Sequence, residues 1–573
     1  MSIQIPAPVS LARYAVALFA TLVLASLGGC ATLPPGSSYP KASSVALPDP
    51  QSTALGRQFA SATSRNGGRS GFHLVNVGVD GFLMRLEMIN AAERTLDLQY
   101  YIFRGDESGR LLTDALSRVA DRGVRVRVLV DDAETVAGDE QLLALSGHPA
   151  VEIRVFNPWA YRGHNEFLRD AEFILRHSRL DYRMHNKMLV ADNAVALAGG
   201  RNVGDQYFQI DPESQFADDD VFIGGPITRE LSSRFDEYWN SPLAIAAEAL
   251  AHRDPKDLVA SSTRLLATAR ARKVKAAGFN YDGKLAAGEP LAGILSGKVP
   301  LAWADAQFVC DTPDKKSAVA KAKAAHSNEA RSGAGSAAAA ASAPASGAVP
   351  KPGSAPGDLM YEPVFQLANQ AKSELIIVTP YFVPSKDELR LLESRRQQQV
   401  SVRVLTNSLE SNSNLLAHAG YMHHRPKLLQ QGVQLYEVRS LLGNTRGSGQ
   451  SKQLSRYGNY ALHGKLFVTD RQQLFIGSMN FDVRSRRLNT EMGLIIANAD
   501  LAQQQATRFE AMTRPENSYS VALGTEGARG SSRLVWRTVE DGKPVEYKSE
   551  PARSAWQRMK AKVFSWLPLD SEL

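Results

Sequence analysis

The sequence of 573 residues predicts an α/β protein made of two similar halves. The chain is longer than a single compact core usually supports, so two folded units are expected. Apolar segments of strand length alternate with amphipathic segments of helical spacing, which is typical of an α/β unit. This order of segments occurs twice along the chain, and such a repeat indicates two copies of one structural unit.

The repeated segments define the expected elements of each half. The first copy has apolar strands at 95–103 and 123–132, and the second copy has them at 373–384 and 400–408. Between the two strands of each copy lies a stretch with helical spacing and a charged face. Because the strands are almost continuously apolar, we expect them to be buried on both faces of a sheet.

The N-terminal residues indicate export from the cytoplasm. Arg13 is followed by an apolar run over 14–27 and then by Gly28, Gly29 and Cys30. A charged start, an apolar stretch and small residues at its end are typical of an export signal. The apolar run is short for a permanent transmembrane helix.

The residues that lead into Cys30 resemble the lipobox of bacterial lipoproteins. The resemblance implies cleavage before Cys30 and acylation of the cysteine, and more than one acyl chain anchors a protein stably. Ala31 follows the cysteine where inner-membrane lipoproteins carry Asp, which favours the outer membrane. The chain is therefore expected to be an exported lipoprotein that faces the periplasm. The alternative is an uncleaved anchor with an incidental cysteine.

Charge and cysteine content narrow the function only a little. The chain has 66 lysines and arginines against 59 aspartates and glutamates, and this mild excess suits an anionic partner such as phospholipid or nucleic acid. The two cysteines, Cys30 and Cys310, exclude a disulfide framework. Cys310 is expected to be a small, buried apolar residue.

Composition also predicts how the chain is divided. A predicted tether over residues 30–70 is rich in Pro, Ser and Ala, which is typical of a flexible segment. A predicted insertion over residues 315–357 has runs of Ala, Ser, Lys and Gly that are typical of disorder. The alternative for the insertion is a recognition loop. The predicted units are the lipoprotein signal 1–29, a tether 30–70, the first half 71–260 with its motif at 179–206, a connector 261–314, a disordered low-complexity insertion 315–357, the second half 358–512 with its motif at 457–484, and a C-terminal extension 513–573.

The C-terminal extension ends in a basic amphipathic segment. Such a segment fits a helix that lies on a bilayer, or one that packs against the folded domain, and both interpretations stay open. Its apolar residues are Trp556, Met559, Val563, Trp566 and Leu567, and its basic residues are Arg558, Lys560 and Lys562.

One polar pattern, H-x-K-x4-D-x6-G-[GS]-x-N, occurs once in each half. Corresponding members lie 278 positions apart, so the two patterns are in register with the larger repeat and are poorly explained by coincidence. Its members are His185, Lys187, Asp192 and Asn202 in the first half, and His463, Lys465, Asp470, Ser478 and Asn480 in the second.

These residue types suit chemistry at phosphorus. Alternate residues of a strand share a face, so the histidine and lysine of each pattern point the same way. If the halves pair, two histidines and two lysines meet in one cleft. Ammonium groups, with the amides of Asn202 and Asn480, can hold phosphate oxygens and stabilise a pentacoordinate transition state. Since the lysines supply positive charge, we expect neither a metal ion nor a cofactor. Histidine titrates near neutrality and can serve as nucleophile or acid.

The twin pattern resembles the phospholipase D superfamily over roughly residues 70–510. The resemblance implies two phospholipase D-like α/β/α sandwich halves related by pseudo-twofold symmetry, with the active site at their interface. It implies that one histidine attacks phosphorus to form a phosphohistidine and that the other transfers protons. We assign the attack to His185 and the proton transfer to His463, and the reverse assignment stays open. Asp192 and Asp470 belong to the catalytic motif and are expected to hydrogen-bond the scaffold of the cleft.

The resemblance also implies residues outside the histidine–lysine pairs. A carboxylate downstream of each motif is expected to orient a motif histidine. Glu491 has this spacing in the second half; in the first half Asp218 aligns best and Asp220 is the alternative. Ser478, together with the two motif asparagines, is expected to bind the substrate phosphate.

Within the superfamily, the second half resembles the bacterial cardiolipin synthases, especially their lipoprotein-like C-type group. The resemblance lies in TPYFVPS at 379–385, VRVLTNSL at 402–409 and GSMNFDVRSRRLNTE at 477–491. It implies a phosphatidyltransferase that moves phosphatidyl from one phospholipid to the headgroup of phosphatidylglycerol. The expected partners are these phospholipids and the membrane surface, without nucleic acid; the sequence does not specify a partner protein. The alternative is a periplasmic phospholipase D or nuclease that uses water, because the motif does not specify the acceptor.

Overall fold

The structure is a computed structural model. It describes residues 34–133, 139–163, 165–211, 214–250, 290–315, 359–412, 414–440, 460–524 and 533–566. The predicted signal 1–29, Cys30 and all but the first residue of the predicted insertion 315–357 lie outside the described residues.

The described helices alternate with strands in both halves. Two short 3-10 helices cover Pro50–Ser52 and Asp205–Tyr207. The α-helices are α1 Ala54–Arg65, α2 Gly78–Ala91, α3 Glu107–Asp121, α4 Asp139–Ser146, α5 Glu166–Leu180, α6 Thr228–Trp239, α7 Ala247–Leu250, α8 Leu291–Leu295, α9 Tyr361–Asn369, α10 Lys386–Gln397, α11 Leu415–Gln430, α12 Val483–Arg487, α13 Ala499–Met512 and α14 Ala555–Phe564.

The strands include all four that the repeat predicts. They are β1 Ser70–Val75, β2 Thr95–Tyr100, β3 Arg125–Asp131, β4 Val151–Phe156, β5 Met188–Ala191, β6 Val195–Gly199, β7 Gln215–Ala217, β8 Asp220–Gly224, β9 Ala244–Ala246, β10 Ala302–Cys310, β11 Glu374–Val378, β12 Phe382–Val383, β13 Ser401–Asn407, β14 Gln434–Val438, β15 Tyr460–Leu462, β16 Leu466–Thr469, β17 Gln473–Gly477, β18 Phe481–Asp482, β19 Met492–Ala497, β20 Ser518–Leu523, β21 Leu534–Glu540 and β22 Lys543–Tyr547.

Each half contains one mixed sheet, and the two sheets share a strand order, so the predicted repeat is confirmed. In the first half the order is β10-β1-β8-β6-β5-β2-β3-β4-β9, with β2, β3 and β4 parallel. In the second half it is β10-β19-β17-β16-β11-β13-β14-β20-β21-β22, with β11, β13 and β14 parallel. Strand β10 belongs to both sheets, because residues 302–304 pair with β1 and residues 305–310 pair with β19.

Three apolar cores hold the described part of the chain together. One core lies in each half, between the sheet and helices such as α2 and α3 in the first half and α9 and α10 in the second. The third core is shared, and it packs side chains such as Met184 and Val190 with Ile376 and Val468 from the other half. Burial of apolar surface therefore joins the two halves into one body.

Strand direction places the two motifs at one edge of each sheet. Strand β5 runs antiparallel to β2, so Lys187, directly before β5, lies near the carboxyl end of β2. In open α/β sheets, ligands bind beyond the carboxyl ends of the parallel strands. Asp192 follows the last residue of β5 and therefore lies at the opposite edge, as Asp470 does after β16.

The structure corrects the predicted tether 30–70. Lys41 donates to the carbonyls of Ser241 and Ala244 at 2.6 and 2.7 Å, and residues 54–65 form helix α1. This helix buries Leu55 and Phe59 against the first half. A composition of Pro, Ser and Ala predicted a flexible segment, but it does not reveal these hydrogen bonds or a pair of apolar residues spaced one helical turn apart.

Two further predicted boundaries are also wrong. The connector 261–314 contains β10, a central strand that links both sheets, and Lys315, placed in the disordered insertion, is buried and bonded to Asp311 at 2.7 Å. The C-terminal extension 513–573 is not separate from the second half, because β20 to β22 extend its sheet. Cys310 is buried, as predicted.

Over the residues described, none of the helices has both the length and the apolar character required to span a membrane.

Asp192 and Asp470 stabilise the fold at the edge away from the motif histidines. Asp192 and Asn193 have φ of 54° and 51° and form the tight turn between β5 and β6. The Asp192 carboxylate accepts three backbone N–H groups, those of Glu93, Arg94 and Thr95, at 2.8–2.9 Å. Asp470 accepts the corresponding N–H groups of residues 372–374 in the second half. Their role is therefore to fasten this distant turn rather than the cleft.

We expect Asp192→Ala to lower the free energy of unfolding by about 2–4 kcal/mol, because three backbone N–H groups, one buried and two partly buried, lose a charged acceptor. Urea denaturation measures this change. Asp305→Ala is the matched control, since Asp305 makes an exposed ion pair with Arg69 and should cost less than about 1 kcal/mol. Equal stability of the two variants would contradict the structural role of Asp192.

Candidate active site

The two halves exchange backbone hydrogen bonds beside each motif histidine. The N–H of His185 donates to the carbonyl of Thr490 at 2.9 Å, and the N–H of Thr490 donates to Arg183 at 2.9 Å. On the other side, the N–H groups of His463 and Gly464 both donate to Ala217, at 2.7 and 2.9 Å. Each histidine is thus attached to the segment that precedes the carboxylate of the opposite half.

The carboxylates are paired with the histidines across the interface. His185 Nδ1 lies 2.8 Å from Glu491 Oε2, and His463 Nδ1 lies 2.5 Å from Asp218 Oδ2. The two sequence-predicted carboxylates therefore contact the histidines, each from the other half. The alternative residue, Asp220, is engaged elsewhere, because Arg85 holds it at 2.9 Å.

Both histidines line one cleft between the halves, with a volume of about 780 Å³. Because each Nδ1 is occupied by a carboxylate, the chemistry in the cleft is left to Nε2 of each ring. The paired lysines lie beside the histidines. Lys187 Nζ donates to the His185 carbonyl at 2.5 Å, and Lys465 Nζ lies 3.0 Å from His463 Nδ1.

The motif asparagines line the same cleft. Asn202 is held by Ile102, whose N–H donates to its side-chain oxygen at 3.1 Å, and by the Tyr207 hydroxyl at 2.9 Å. Asn480 is buried, and its Oδ1 makes no hydrogen bond within the described structure. Asn480 is therefore the asparagine with polar capacity to spare for a ligand.

Ser478 differs from the expectation that its side chain binds phosphate. Its hydroxyl donates to Glu491 Oε2 at 2.5 Å and accepts the N–H of Met492 at 3.0 Å, and the residue is fully buried. The single hydroxyl proton is thus committed to the carboxylate that contacts His185. The side chain positions Glu491, and a small residue next to a motif glycine gave no signal of this role.

Burial and the lysines favour the neutral form of both histidines. Desolvation, with repulsion from Lys187 and Lys465, holds the pKa of His185 well below its ordinary value. Desolvation and Lys465 lower the pKa of His463 to about 3, although Asp218 opposes the shift. An anion between the lysines would reverse part of this repulsion.

The lysines and carboxylates are shifted as well. Burial lowers the pKa of Lys465 to about 8 and that of Lys187 well below its usual range, against the attraction of nearby carboxylates. Burial raises the pKa of Glu491 to about 7, although Lys187 opposes this shift. For Asp218, burial is outweighed by His463 and Lys465, and its pKa falls below the usual range. The two carboxylates therefore differ in charge near neutrality.

Several cleft residues were not found by sequence reasoning. Tyr101 contacts the His185 ring edge-on with centroids 4.8 Å apart, and Phe216 stacks on the His463 ring at 5.3 Å. Arg484 lines the cleft and crosses the interface to Asp181 at 2.7 Å. Aromatic residues directly after a strand, as Tyr101 is after β2, were the one available signal.

Comparison with known proteins agrees with this geometry. The family model described as "Cardiolipin synthase, PLD-like domain" matches residues 86–239 and 364–513, one copy in each half. Cardiolipin synthase C of Escherichia coli K12 is 33% identical over 511 residues, which cover 88% of this chain and 97% of that protein. Major cardiolipin synthase ClsA of Bacillus subtilis is 23% identical over 76% of this chain and 67% of its own.

Among solved structures, phosphatidylserine synthase from Haemophilus influenzae Rd KW20 aligns with a TM-score of 0.48 and 12% identity, covering 81% of this chain and 92% of that one. The family model alone spans more than half of the chain, and its two matches coincide with the two sheets that form the cleft. The chain therefore belongs to the phospholipase D superfamily, as an enzyme with two cardiolipin synthase-type, phospholipase D-like domains.

Proposed function

We propose that this enzyme is a cardiolipin synthase that transfers phosphatidyl from a donor phospholipid to the headgroup hydroxyl of phosphatidylglycerol. The observation that carries the proposal is the single cleft with both histidine–lysine pairs, in a chain 33% identical to a cardiolipin synthase. Two lysines suit a cleft for an anionic phosphodiester, and two histidines suit two successive transfers at one phosphorus atom.

In the first transfer, Nε2 of neutral His185 attacks the donor phosphorus, and the bond from phosphorus to the leaving alkoxide breaks. His463 gives a proton to this alkoxide, which leaves as an alcohol. In the second transfer, His463 takes the proton of the acceptor hydroxyl, whose oxygen attacks the phosphohistidine and releases His185. The sum is one phosphodiester exchanged for another, so no further reactant is required.

The carboxylates support this assignment of roles. Glu491, beside His185, has a pKa raised to about 7 by burial, so it does little to favour an imidazolium, and His185 remains a neutral nucleophile. Asp218, beside His463, stays ionised because His463 and Lys465 stabilise its charge. An ionised carboxylate at 2.5 Å favours the protonated ring that an acid requires.

A bound anionic substrate would favour the protonation of His463. One negative charge about 4 Å away is worth about 4 kcal/mol at an effective dielectric constant of about 20. An energy of this size would raise the pKa of His463 back toward its ordinary value. The same charge favours the ammonium form of Lys465, which with Lys187 and Asn480 would stabilise the pentacoordinate phosphorus.

We also propose that the enzyme acts as an exported lipoprotein, anchored by an acylated Cys30 and facing the periplasm. The support is the lipobox-like sequence at residues 27–30. An acyl anchor would keep the cleft close to the phospholipids on which it acts.

Expression in cells without their own cardiolipin synthases tests the proposed reaction. We expect the unaltered chain to produce cardiolipin and His185→Ala to produce none, because the variant lacks the proposed nucleophile. His423→Ala is the control, since His423 is an exposed histidine of α11. Mass spectrometry of lipid extracts gives the result. Free phosphatidic acid without cardiolipin would instead indicate hydrolysis with water as acceptor and would contradict the transferase proposal.

A phosphatidyl ester of p-nitrophenol separates the roles of the two histidines. Its leaving group needs no proton, so the first transfer should proceed without His463. We therefore expect His463→Ala to release a burst of about one nitrophenolate per enzyme, because the phosphatidyl group stays bound to His185. His185→Ala should release none above background. Stopped-flow absorbance measures the burst, and the opposite pattern would show that the roles are reversed.

The pKa of Lys465 predicts an alkaline limit on activity. Above about pH 8 this side chain loses its charge in the free enzyme, so kcat/KM should fall as the pH rises, with an apparent pKa of about 8. In Lys465→Arg, the alkaline fall in kcat/KM should move beyond the measurable pH range, because a guanidinium stays charged. This expectation holds whatever the absolute rate of the variant. A pH profile of kcat/KM gives the answer, and an unchanged alkaline limb in Lys465→Arg would exclude Lys465 as its source.

A further inference from the structure

Helix α14 carries an exposed apolar face with no acidic residue. Trp556, Met559, Val563 and Trp566 are 59%, 48%, 45% and 73% exposed, and at 100° per residue they fall within an arc of about 80°. The opposite side holds Ala561, which is fully buried. Helix α14 is thus attached to the protein by one side and presents large apolar side chains to its surroundings on the other.

Two lysines flank this apolar arc. Lys560 lies on one border with its Nζ 5.2 Å from the Trp556 ring centre, and Lys562 lies on the other border. Neither lysine makes an ion pair within the described part of the chain. Tryptophans in the centre with lysines at the edges match a bilayer interface, where indole rings lie among the headgroups and ammonium groups reach anionic phosphates.

Helix α5 has an exposed apolar face in the other half. Phe167, Leu168, Ile174 and Leu175 are 77%, 45%, 69% and 49% exposed. They fall within an arc of about 120°, which forms a continuous stripe along the helix. Stripes of this size are rare on the surface of monomeric soluble proteins unless they contact a partner or a membrane.

One end of each helix lies close to a residue that lines the cleft, with one helix from each half. Helix α5 ends at Leu180, and the next residue, Asp181, holds Arg484, which lines the cleft. Helix α14 begins just after Arg553, which also lines the cleft, and Gln557 in its first turn donates to the carbonyl of Leu409 at 2.8 Å. Both apolar faces therefore belong to helices with one end next to a residue that lines the cleft.

We propose that the exposed faces of α5 and α14 form one docking surface for an anionic phospholipid bilayer, on either side of the cleft mouth. The apolar side chains enter the interfacial layer, and Lys560 and Lys562 contact anionic headgroups. A phospholipid then moves from the bilayer into the cleft without its acyl chains crossing water. The proposal rests on the proposed function only in taking the substrates to be lipids.

Fluorescence quenching tests the position of the two helices directly. The full chain carries Cys30→Ser, so that an added cysteine takes the label; Cys310 is buried, and burial raises the pKa of its thiol. An environment-sensitive nitrobenzoxadiazole label is placed at Met559→Cys, at Ile174→Cys, or at Gln472→Cys as control. Gln472 is exposed in the turn after β16, at the edge of the sheet away from His463.

With vesicles of 70% phosphatidylcholine and 30% phosphatidylglycerol, we expect the fluorescence emission of labels at residues 559 and 174 to shift to shorter wavelength. Brominated acyl chains should quench each of them at least threefold more than the label at 472. Vesicles of phosphatidylcholine alone should give weaker quenching at 559. A label at either helix that behaves like the one at 472 would overturn the docking surface. No turnover is needed, so this result is independent of the proposed reaction.

A kinetic comparison separates docking from catalysis. We expect Trp556→Ser combined with Trp566→Ser to lower turnover of phosphatidylglycerol in vesicles at least tenfold, and to change turnover of monomeric dihexanoyl phosphatidylglycerol less than twofold. An equal loss on both substrates would overturn the docking role. If the unaltered chain turned over neither substrate, the proposed reaction would fail while the quenching result would still decide the docking surface.

Discussion

The active site depends on two short segments, one from each half, that each contact the motif histidine of the opposite half. The backbone of Thr490 bonds to that of His185, the backbone of Ala217 bonds to that of His463, and the following carboxylates continue these contacts to the imidazole rings. Neither half has a complete site, because each histidine takes its carboxylate from the other. The shared apolar core and strand β10 hold the interface on which these contacts depend.

The active site brings two lysines together with two histidines and two carboxylates. Burial lowers the pKa values of both lysines and both histidines, and repulsion from Lys465 adds to the shift for His185, Lys187 and His463. Asp218 and Glu491 offset this repulsion unequally, since one remains ionised and the other has a pKa of about 7. In the proposed reaction an anionic phosphodiester would supply further negative charge, so its binding would also favour the protonated form of the acid. The unequal carboxylates would then give the two histidines of a nearly symmetric repeat different roles.

Much of the site could be predicted from sequence, because its residues follow a strict pattern that occurs twice. His185 and His463 with their lysines were found in this way, whereas Glu491 and Asp218 were expected from the family resemblance, with Asp220 left open as the alternative to Asp218. Ser478 was misread, since a hydroxyl close to a motif asparagine looks available for a ligand until the structure shows that it donates to Glu491. Composition failed where tertiary contacts decide the structure: helix α1 lies in the predicted tether, and β10 lies in the predicted connector. Exposure of an apolar helix face, as in α14, is likewise a tertiary property.

The central claim is that both imidazoles act on one phosphorus atom. A crystal structure of the enzyme with vanadate, which adopts five-coordinate geometry like a transferring phosphate, measures this most directly. The account predicts a single vanadate in the cleft, with vanadium bonded to Nε2 of one histidine and an apical oxygen within hydrogen-bond distance of Nε2 of the other. Two separate vanadates, or one that reaches only residue 185 or only residue 463, would contradict it.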